Sequence, residues 1–386
     1  MGIGGAERLI GQAAVACARA GYDVTLYTRR LELEFEMGDG RELVKTKIIG
    51  RWISPKVTFR LQLLTQVLWT LWVVFVLFVK RQKIDLFVSD LVPHAVLFTK
   101  RLFPRVNHVV YCHFPDQLLV RPESIGRFEW YRGPMDRMEV RALLAADQVM
   151  VNSNFTQDAL LSIAPNMRPD ALEVVYPGAD ESLNRVSLRQ GAEKNVILHL
   201  SRFTAAKNHL LALEAFDLSI RNGTFSSEFE LVLAGGYDGK VKDVKDTYAR
   251  LKSEIEKRDI ASRVHLLTNV SDQELEELWG RCVLLVYPPV NEHFGLVPIE
   301  AMMRGIPVVA LNSGGPLETV DHGVTGMLCP PDHAAISDAM VEILTNEENA
   351  RAMGAAGKER AERLFSLDAF NRGFVDQIER TLAVKN

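Results

Sequence analysis

The sequence V-L-L-V-Y-P-P-V-N-E-H-F-G-L-V-P-I-E-A-M, residues 283–302, predicts a buried strand, a loop and a helix in direct succession. The apolar run at 283–287 has the composition of a strand that is buried on both faces. Gly295 permits a turn, and Pro298 is tolerated only within the first turn of a helix, so we expect a helix to begin near Gly295. A strand that leads through a short loop into a helix is the repeating unit of a parallel α/β sheet.

The same unit recurs on both sides of this stretch. Earlier β-rich runs lie at 22–28, 85–89, 108–113 and 148–152, and they alternate with helical stretches such as 6–20 and 128–145. Later runs lie at 195–200, 229–234, 263–267 and 307–311. Such alternation predicts an α/β protein with two Rossmann-like, doubly wound domains that face a central cleft. The predicted boundaries are an N-terminal domain at 1–178, a linker at 179–193, a C-terminal domain at 194–365 and a final helix at 366–386 that packs back on the N-terminal domain.

The composition excludes several classes of protein. The chain has 386 residues, of which 47% are hydrophobic and 24% charged, and this excludes a mainly disordered chain, a collagen-like fibre and a polytopic membrane protein. A net charge of −4 gives no basic excess that would favour nucleic acid as a partner. The 4 cysteines form no C-x-x-C pair, which indicates a reducing compartment.

One apolar stretch, at 61–79, contains no charged residue. As a helix it would be about 28 Å long, close to the thickness of a bilayer core. Three interpretations are open: a buried core helix, a helix that lies in the membrane interface with Trp69 and Trp72 at headgroup depth, and a true span. The predicted strands on both sides of the stretch belong to one domain, and a true span would separate them across the bilayer. We therefore favour a membrane-associated helix near 56–81. Basic residues follow the stretch, at Lys80, Arg81 and Lys83.

Two carboxylates flank the predicted helix start in the 283–302 stretch. Glu292 lies on the loop, and Glu300 lies about one turn into the helix. Carboxylates accept hydrogen bonds from hydroxyls, and the amides of Phe294, Gly295 and Leu296 can donate to oxygens. Together these groups predict a site for a polyol next to a phosphate.

Two cations lie in the loop L-S-R-F-T-A-A-K-N, residues 200–208, which follows the first strand of the second domain. Arg202 and Lys207 can converge on one anion there, and an Arg fork with a Lys point charge suits a diphosphate. The segment N-S-G-G-P-L-E at 312–318, with Gly314 and Gly315, predicts another helix start that can bind an anion. The sequence contains no D-x-D, so we predict no bound metal and no cofactor, with Arg202 and Lys207 supplying the positive charge.

Two further positions could carry chemistry in the first domain. The segment Y-C-H-F-P-D places His113 and Asp116 just after a buried strand, where His113 could touch substrate or move protons. The glycine cluster G-I-G-G-A-E-R at 2–8 runs into a helix. It departs from the dinucleotide fingerprint because Glu7 stands where the third glycine is needed, and this argues against a dinucleotide oxidoreductase.

Six motifs carry a resemblance to a known family, in this order along nearly the whole chain. They are G-I-G-G-A-E-R, Y-C-H-F-P-D, V-N-S-N-F-T, L-A-G-G-Y-D, N-E-H-F-G-L-V-P-I-E-A-M and N-S-G-G-P-L-E-T-V-D-H-G-V-T-G. The pair Glu292 and Glu300, with seven residues between, is similar to the signature of retaining glycosyltransferases of the GT-B fold. In detail the motifs resemble the eukaryotic alpha-1,3/1,6-mannosyltransferases of the lipid-linked N-glycan pathway.

The resemblance implies a donor, an acceptor and a location. The donor would be GDP-mannose, and the acceptor a mannosyl-chitobiose on dolichyl diphosphate at the cytosolic face of the endoplasmic reticulum membrane. Expected partners are therefore these two substrates, the membrane surface and other early glycosyltransferases of the pathway. Two alternatives stay open: a retaining GT-B glycosyltransferase with another acceptor, and a non-catalytic membrane scaffold subunit of the same fold.

The resemblance also implies roles for individual residues. Arg202 and Lys207 would hold the donor diphosphate, Glu300 the ribose, and Glu292 the mannose hydroxyls. His113, with Asp116 on the acceptor side, would lie near the reacting sugar. The remaining expected donor contacts are Gly4, Gly5, Gly235, Gly236, His293, Phe294, Gly295, Leu296, Gly314 and Gly315.

The start of the chain carries a separate expectation. A phosphate loop of this kind follows a strand, but here the loop begins at Gly2. We therefore expect the first strand of the N-terminal domain to be missing and the native chain to begin upstream of Met1.

Overall fold

The computed structural model describes residues 5–29, 40–50, 62–119, 129–179, 195–225 and 228–384. The chain divides into two compact units. The first unit comprises Met1–Gly178 together with Asp368–Asn386, and the second comprises Ala179–Leu367. Gly4 and most of the predicted linker lie outside the described residues, and the expected strand upstream of Met1 stays a prediction.

The first unit carries two parallel sheets. Strands β1 (Thr25–Thr28) and β2 (Lys45–Ile48) form one of them. The other has four strands in the order β3-β4-β5-β6, with bounds Leu86–Asp90, Asn107–Cys112, Gln148–Val151 and Leu172–Val174. The helices of this part are α1 (Gly5–Arg19), α2 (Gln62–Val79), α3 (Val96–Leu102), α4 (Asp116–Leu119), α5 (Glu129–Ala145) and α6 (Asn154–Ile163).

The centre of the four-stranded sheet is fully buried. Every residue of β4 and β5 is buried, as expected for parallel strands that have helices on both faces. The core there joins Val110 and Val149 of the strands to Leu143 of α5 and Leu160 of α6. The sheet thus fixes the carboxyl ends of β3 and β4, where the polar residues of this unit lie.

The last helix, α14 (Leu367–Ala383), contributes to the core of the first unit. The Tyr111 ring of β4 lies 6.2 Å from the rings of both Phe370 and Phe374, measured between centroids. The side-chain amide of Asn107 donates a hydrogen bond to the carbonyl of Thr381 at 3.1 Å.

Helix α2 occupies the apolar stretch that the sequence singled out. Leu63, Val67 and Leu77 are buried on one face, whereas Leu68 and Phe75 on the other are 49% and 53% exposed. Within the described parts of the chain, no helix is long and apolar enough to cross a membrane.

The second unit has a six-stranded parallel sheet in the order β12-β11-β10-β7-β8-β9. The strands are β7 (Val196–Leu200), β8 (Glu230–Gly235), β9 (Val264–Thr268), β10 (Cys282–Tyr287), β11 (Val308–Leu311) and β12 (Gly326–Cys329). The helices are α7 (His209–Arg221), α8 (Lys242–Arg258), α9 (Asp272–Arg281), α10 (Leu296–Met303), α11 (Pro316–Thr319), α12 (His333–Thr345) and α13 (Glu347–Leu364). The strand order reverses between β7 and β10, and such a switch point is where open α/β sheets bind ligands.

Candidate functional site

The predicted donor-binding residues of the second unit lie at one edge of its sheet, the carboxyl ends of the strands. Arg202 and Lys207 lie in the connection from β7 to α7, and Glu292 lies in the connection from β10 to α10. Gly235 ends β8, and Gly314 follows β11. The loops after β7 and β10 are neighbours because those two strands pair with each other.

Lys207 and Glu292 form an ion pair between these two loops. The Lys207 ammonium contacts the Glu292 carboxylate, and both side chains are only 19% exposed. Half-buried charges of opposite sign compensate each other's loss of hydration. The structure therefore brings together two residues that the sequence assigned to neighbouring parts of a donor, the diphosphate and the sugar.

Tyr287, the last residue of β10, hydrogen-bonds to Glu292 and interacts electrostatically with Glu300. Its side chain is 3% exposed. Burial, the negative charge of Glu292 and a hydrogen bond to Glu292 raise the pKa of the Tyr287 phenol well above its usual range, and Glu300 adds to this. The neutral phenol donates to Glu292. Tyr287 was identified from the sequence only as the end of a strand. Its position five residues before Glu292 could have indicated a role in the site.

The loop that carries Arg202 is fixed on both sides of that residue. The Ser201 amide donates to the Ala234 carbonyl at 2.9 Å, and the Phe203 amide donates to the Gly236 carbonyl at 3.1 Å. A Cβ on Gly235 would lie 1.8 Å from the Ser201 carbonyl oxygen. Gly235 therefore admits the backbone of the β7 loop, while the Arg202 side chain is exposed.

Gly314 and Gly315 hold the loop after β10 from the other side. A Cβ on Gly314 would lie 2.3 Å from the Glu292 carbonyl oxygen, and one on Gly315 would lie 2.2 Å from that of Phe294. The Gly315 amide donates to the Glu292 carbonyl at 2.7 Å. Backbone packs on backbone here, which fixes where the Glu292 side chain begins.

Helix α10 begins as the sequence predicted. Gly295 is its N-cap with a φ of 88°, and no side chain caps the helix start. The first-turn amides, which begin at Leu296, have no carbonyl partner within the helix, so this end suits an anion. Glu300 lies inside α10, and His293 on the preceding loop is partly buried. The Phe294 ring packs on Phe365 at 5.7 Å, so a contact of Phe294 with a ligand would use its backbone.

His113 of the first unit pairs with Asp90. Its Nε2 lies 2.9 Å from Oδ1 of Asp90, and the two side chains are 18% and 17% exposed. Asp90 ends β3, and His113 follows β4, the strand paired with it. Leu91 has a φ of 62°, an uncommon value for a residue with a branched side chain, directly after Asp90. Sequence reasoning missed Asp90, because its pairing with His113 depends on the strand register.

Asp116 lies in a partly buried ionic cluster. Its carboxylate accepts a hydrogen bond from Nη1 of Arg132 at 2.6 Å, and its amide donates to the Glu139 carboxylate at 2.7 Å. Burial raises the pKa of Glu139, although its hydrogen bonds from the Asp116 and Gln117 amides oppose the rise. The predicted acceptor-side role of Asp116 stays a prediction, and so does the donor contact of Gly5, the first residue of α1.

No group of three or more His, Cys, Asp or Glu side chains among the described residues could hold a metal ion. All four cysteines are buried free thiols.

Comparisons with known proteins identify the family. Residues 180–360 match the family described as Glycosyl transferases group 1, and residues 3–183 match Glycosyltransferase Family 4. The human alpha-1,3/1,6-mannosyltransferase ALG2 is 32% identical over an alignment of 399 positions, which covers 99% of this chain and 94% of the human protein. The chain belongs to the alpha-1,3/1,6-mannosyltransferase family. The relative from Schizosaccharomyces pombe, of the same description, is 32% identical over 98% of this chain and 79% of its own length.

Solved structures show the fold. Sucrose-phosphate synthase from Thermosynechococcus elongatus superposes with a TM-score of 0.73 at 23% identity, over 97% of this chain and 92% of its own. Anabaena HepE, solved in complex with UDP and glucose, gives a TM-score of 0.72 at 21% identity, over 97% of this chain and 96% of its own. The predicted GT-B fold is confirmed. The family makes the chain a glycosyltransferase, an enzyme that takes a nucleotide-sugar donor and a glycan acceptor, and the oxidoreductase alternative is not favoured.

Proposed function

We propose that this chain transfers mannose from GDP-mannose to a mannosyl-chitobiose on dolichyl diphosphate, adding an α1,3-linked and an α1,6-linked mannose. The observation that carries the proposal is the placement of Arg202, Lys207 and Glu292 on adjacent loops at the switch point of the sheet of the second unit, with Glu300 on the helix that follows the second loop, in a chain of this family. Two cations and two carboxylates match a donor that combines a diphosphate with two sugars.

The proposed donor contacts follow from the chemistry of these groups. Arg202 and Lys207 face the diphosphate, and the uncapped start of α10 adds amide donors and a partial positive charge. Glu300 accepts from the ribose hydroxyls, and Glu292 accepts from the mannose hydroxyls. The positive charge comes from side chains and helix ends, and we propose neither a metal nor another cofactor.

The proposed reaction retains the α configuration of the donor. None of the carboxylates is assigned as a nucleophile for double displacement, since Glu292 and Glu300 already bind hydroxyls. On one face of the sugar, the bond between the mannose anomeric carbon and the diphosphate oxygen of GDP therefore breaks, and the acceptor hydroxyl oxygen bonds to that carbon. The hydroxyl proton passes to the departing diphosphate. The departing diphosphate gains negative charge, and preorganised cations stabilise it in the transition state by several kcal/mol. On the acceptor side, Asp90 orients the imidazole of His113.

The surface of α2 supports attachment to a membrane surface. Its outer face exposes Leu68, Phe75 and Phe78, and Trp72 lies beside Phe75 with ring centroids 5.7 Å apart. An apolar face next to basic residues is typical of helices in the membrane interface. The basic residues here are Lys80, Arg81 and Lys83. The proposed location is the cytosolic face of the endoplasmic reticulum membrane, beside the other early enzymes of the pathway.

The deciding experiment combines the purified protein, GDP-mannose and a synthetic lipid-linked mannosyl-chitobiose, with products resolved by mass. We expect products with one and then two added mannoses, both sensitive to α-mannosidase. A parallel reaction with UDP-glucose tests the donor. Binding of GDP-mannose without any transfer would favour the scaffold alternative, and transfer to a different acceptor would favour the other glycosyltransferase alternative.

A further inference from the structure

Beneath the loop that carries Arg202 and Lys207 lies a buried array of three side chains, His199, Ser201 and His209. His199 and His209 are 0% and 1% exposed. The Ser201 hydroxyl lies 2.9 Å from Nε2 of His199 and 3.1 Å from Nε2 of His209. The two imidazole rings are 4.5 Å apart, nearly at right angles to each other.

The positions of the hydrogen atoms in the array follow from the hydrogen bond between His199 and Val286. Nδ1 of His199 lies 2.9 Å from the carbonyl oxygen of Val286, which can only accept, so Nδ1 carries the proton. Nε2 of a neutral His199 then accepts from the Ser201 hydroxyl. Since that hydroxyl has one hydrogen, its oxygen accepts from Nε2–H of His209. Nδ1 of His209 is left as a buried lone pair without a hydrogen-bond partner in the described part of the chain.

Both imidazoles are held neutral. Burial, together with the positive charge of Lys207, lowers the pKa of His199 to about 4 and that of His209 to about 2, and the neighbouring His199 contributes to the shift of His209. The hydrogen bond that His209 makes to Ser201 opposes its pKa shift only in part. Neutral rings with one defined tautomer each can support the chain of hydrogen bonds without adding charge beneath the loop.

The array connects the elements that carry the site. His199 lies on β7 and bonds to β10, one residue before Tyr287, whereas His209 is the first residue of α7. Arg202 and Lys207 both lie between Ser201 and His209. Phe203 of the same loop stacks on His209 at 4.9 Å. The ends of the loop are thus joined to each other and to the strand that leads to Glu292.

We propose that His199, Ser201 and His209 are positioning residues that hold Arg202 and Lys207 in line with the diphosphate of the nucleotide-sugar. The assignment rests on the proposed donor contacts of those two cations. The array acts through them and touches no substrate. Because charge grows on the diphosphate as it leaves, misaligned cations affect the transition state more than the bound donor.

The test compares Ser201→Ala with Ser219→Ala. Ser219 is a matched control, because it is fully buried on α7 and bonds to the hydroxyl of Ser337 at 2.7 Å, outside the loop. We expect both variants to lower Tm. Only Ser201→Ala should lower kcat with GDP-mannose, by about tenfold, while KM changes less than about threefold. GDP, which carries the full charge of the departing group, should bind to it about tenfold more weakly.

A second pair of variants applies if Ser201→Ala does not fold. His209→Gln keeps an N–H donor near the position of Nε2 and should retain most of kcat, whereas His209→Leu should show the loss expected for Ser201→Ala. Wild-type kinetics in Ser201→Ala, or equal kinetics in the two His209 variants, overturns the positioning role and leaves the proposed function intact. A wild-type protein that binds neither GDP nor UDP overturns both the positioning role and the proposed function.

Discussion

Lys207 contacts Glu292 in a half-buried ion pair and lies on the loop assigned to the diphosphate. We expect Lys207→Ala to lower kcat by about 10²–10³-fold, since removal of one preorganised charge from a transition state has effects of this size. The free energy of unfolding should change by about 1–2 kcal/mol, because Tyr287 still donates to Glu292. Steady-state kinetics and urea unfolding of the purified variant measure both quantities.

The matched control for this substitution is Lys257→Ala. Lys257 also pairs with a glutamate, Glu254 at 2.9 Å, but it is 66% exposed on α8. An exposed pair contributes little to stability, so neither kinetics nor unfolding should change measurably. Near-normal mannosyl transfer by Lys207→Ala, or an equal loss in both variants, would contradict the assignment.

At the scale of single residues, the sequence predicted the types of chemistry better than the partners. Glu292, Lys207 and His113 were identified because each follows a strand, and the carboxyl ends of parallel strands collect functional groups. Their partners Tyr287 and Asp90 were missed. Asp90 meets His113 through the register of β3 and β4, in which Asp90 is opposite Tyr111, and a register is a property of the folded sheet.

At the scale of elements, α2 is the feature with a direct experimental consequence. We expect the triple change of Leu68, Phe75 and Phe78 to Ser to move the protein from the membrane fraction to the soluble fraction, because the outer face of the helix loses its apolar side chains. Flotation with vesicles of anionic lipid measures the effect, and a GDP-mannose titration checks that donor binding persists. Trp69 is left in place, because its indole N–H donates to the Ile49 carbonyl at 2.9 Å and its loss would disturb the fold.

A second triple variant controls for the loss of exposed apolar area. Leu43, Val241 and Val324 are 49%, 38% and 51% exposed and lie outside α2. Their replacement by Ser should leave the membrane fraction unchanged. Equal release by both variants, or none by either, would argue against α2 as the attachment face.

Most elements of the three sheets could be predicted from the sequence. The apolar run at 283–287 lies in β10, and Gly295 is the N-cap of α10. Both could be predicted, because a strand buried on both faces is a continuous apolar run and because glycine is the residue that most readily adopts a positive φ. Strands β2, β6 and β12 were not predicted. They have four, three and four residues, and β2 (K-T-K-I) and β12 (G-M-L-C) are too short and too mixed to show a period.

At the scale of the whole molecule, buried neutral histidines make stability depend on pH. The pKa values of His199 and His209 are lowered to about 4 and about 2, whereas unfolded histidine has a pKa of about 6.5. Below pH 6.5 these two histidines bind protons in the unfolded chain but not in the folded chain, so the free energy of unfolding falls as the pH falls. From pH 7 to pH 5 we expect a loss of about 2 kcal/mol for each histidine.

Urea unfolding at pH 7 and pH 5 measures this dependence, with His209→Leu as the comparison. The variant should lose about half of the pH effect that His199 and His209 produce together, because it removes one of them. Burial also lowers the pKa of His94 in the first unit, and that contribution is the same in wild type and variant. Glu139 of the first unit has a raised pKa and acts in the opposite direction, since it favours folding as the pH falls. A pH dependence that is identical in wild type and variant would contradict the attribution.

The nesting of the second unit within the sequence of the first has a consequence for synthesis on the ribosome. The chain leaves the first unit at Gly178 and returns to it only at Asp368. The rings of Phe370 and Phe374, which pack beside Tyr111, are therefore made after the whole second unit. At translation rates of about 5–20 residues per second, synthesis of the segment between Gly178 and Asp368 takes about 10–40 s. During that interval Tyr111 and the surface around it, almost fully buried in the finished protein, stay open to chaperones and to other nascent chains.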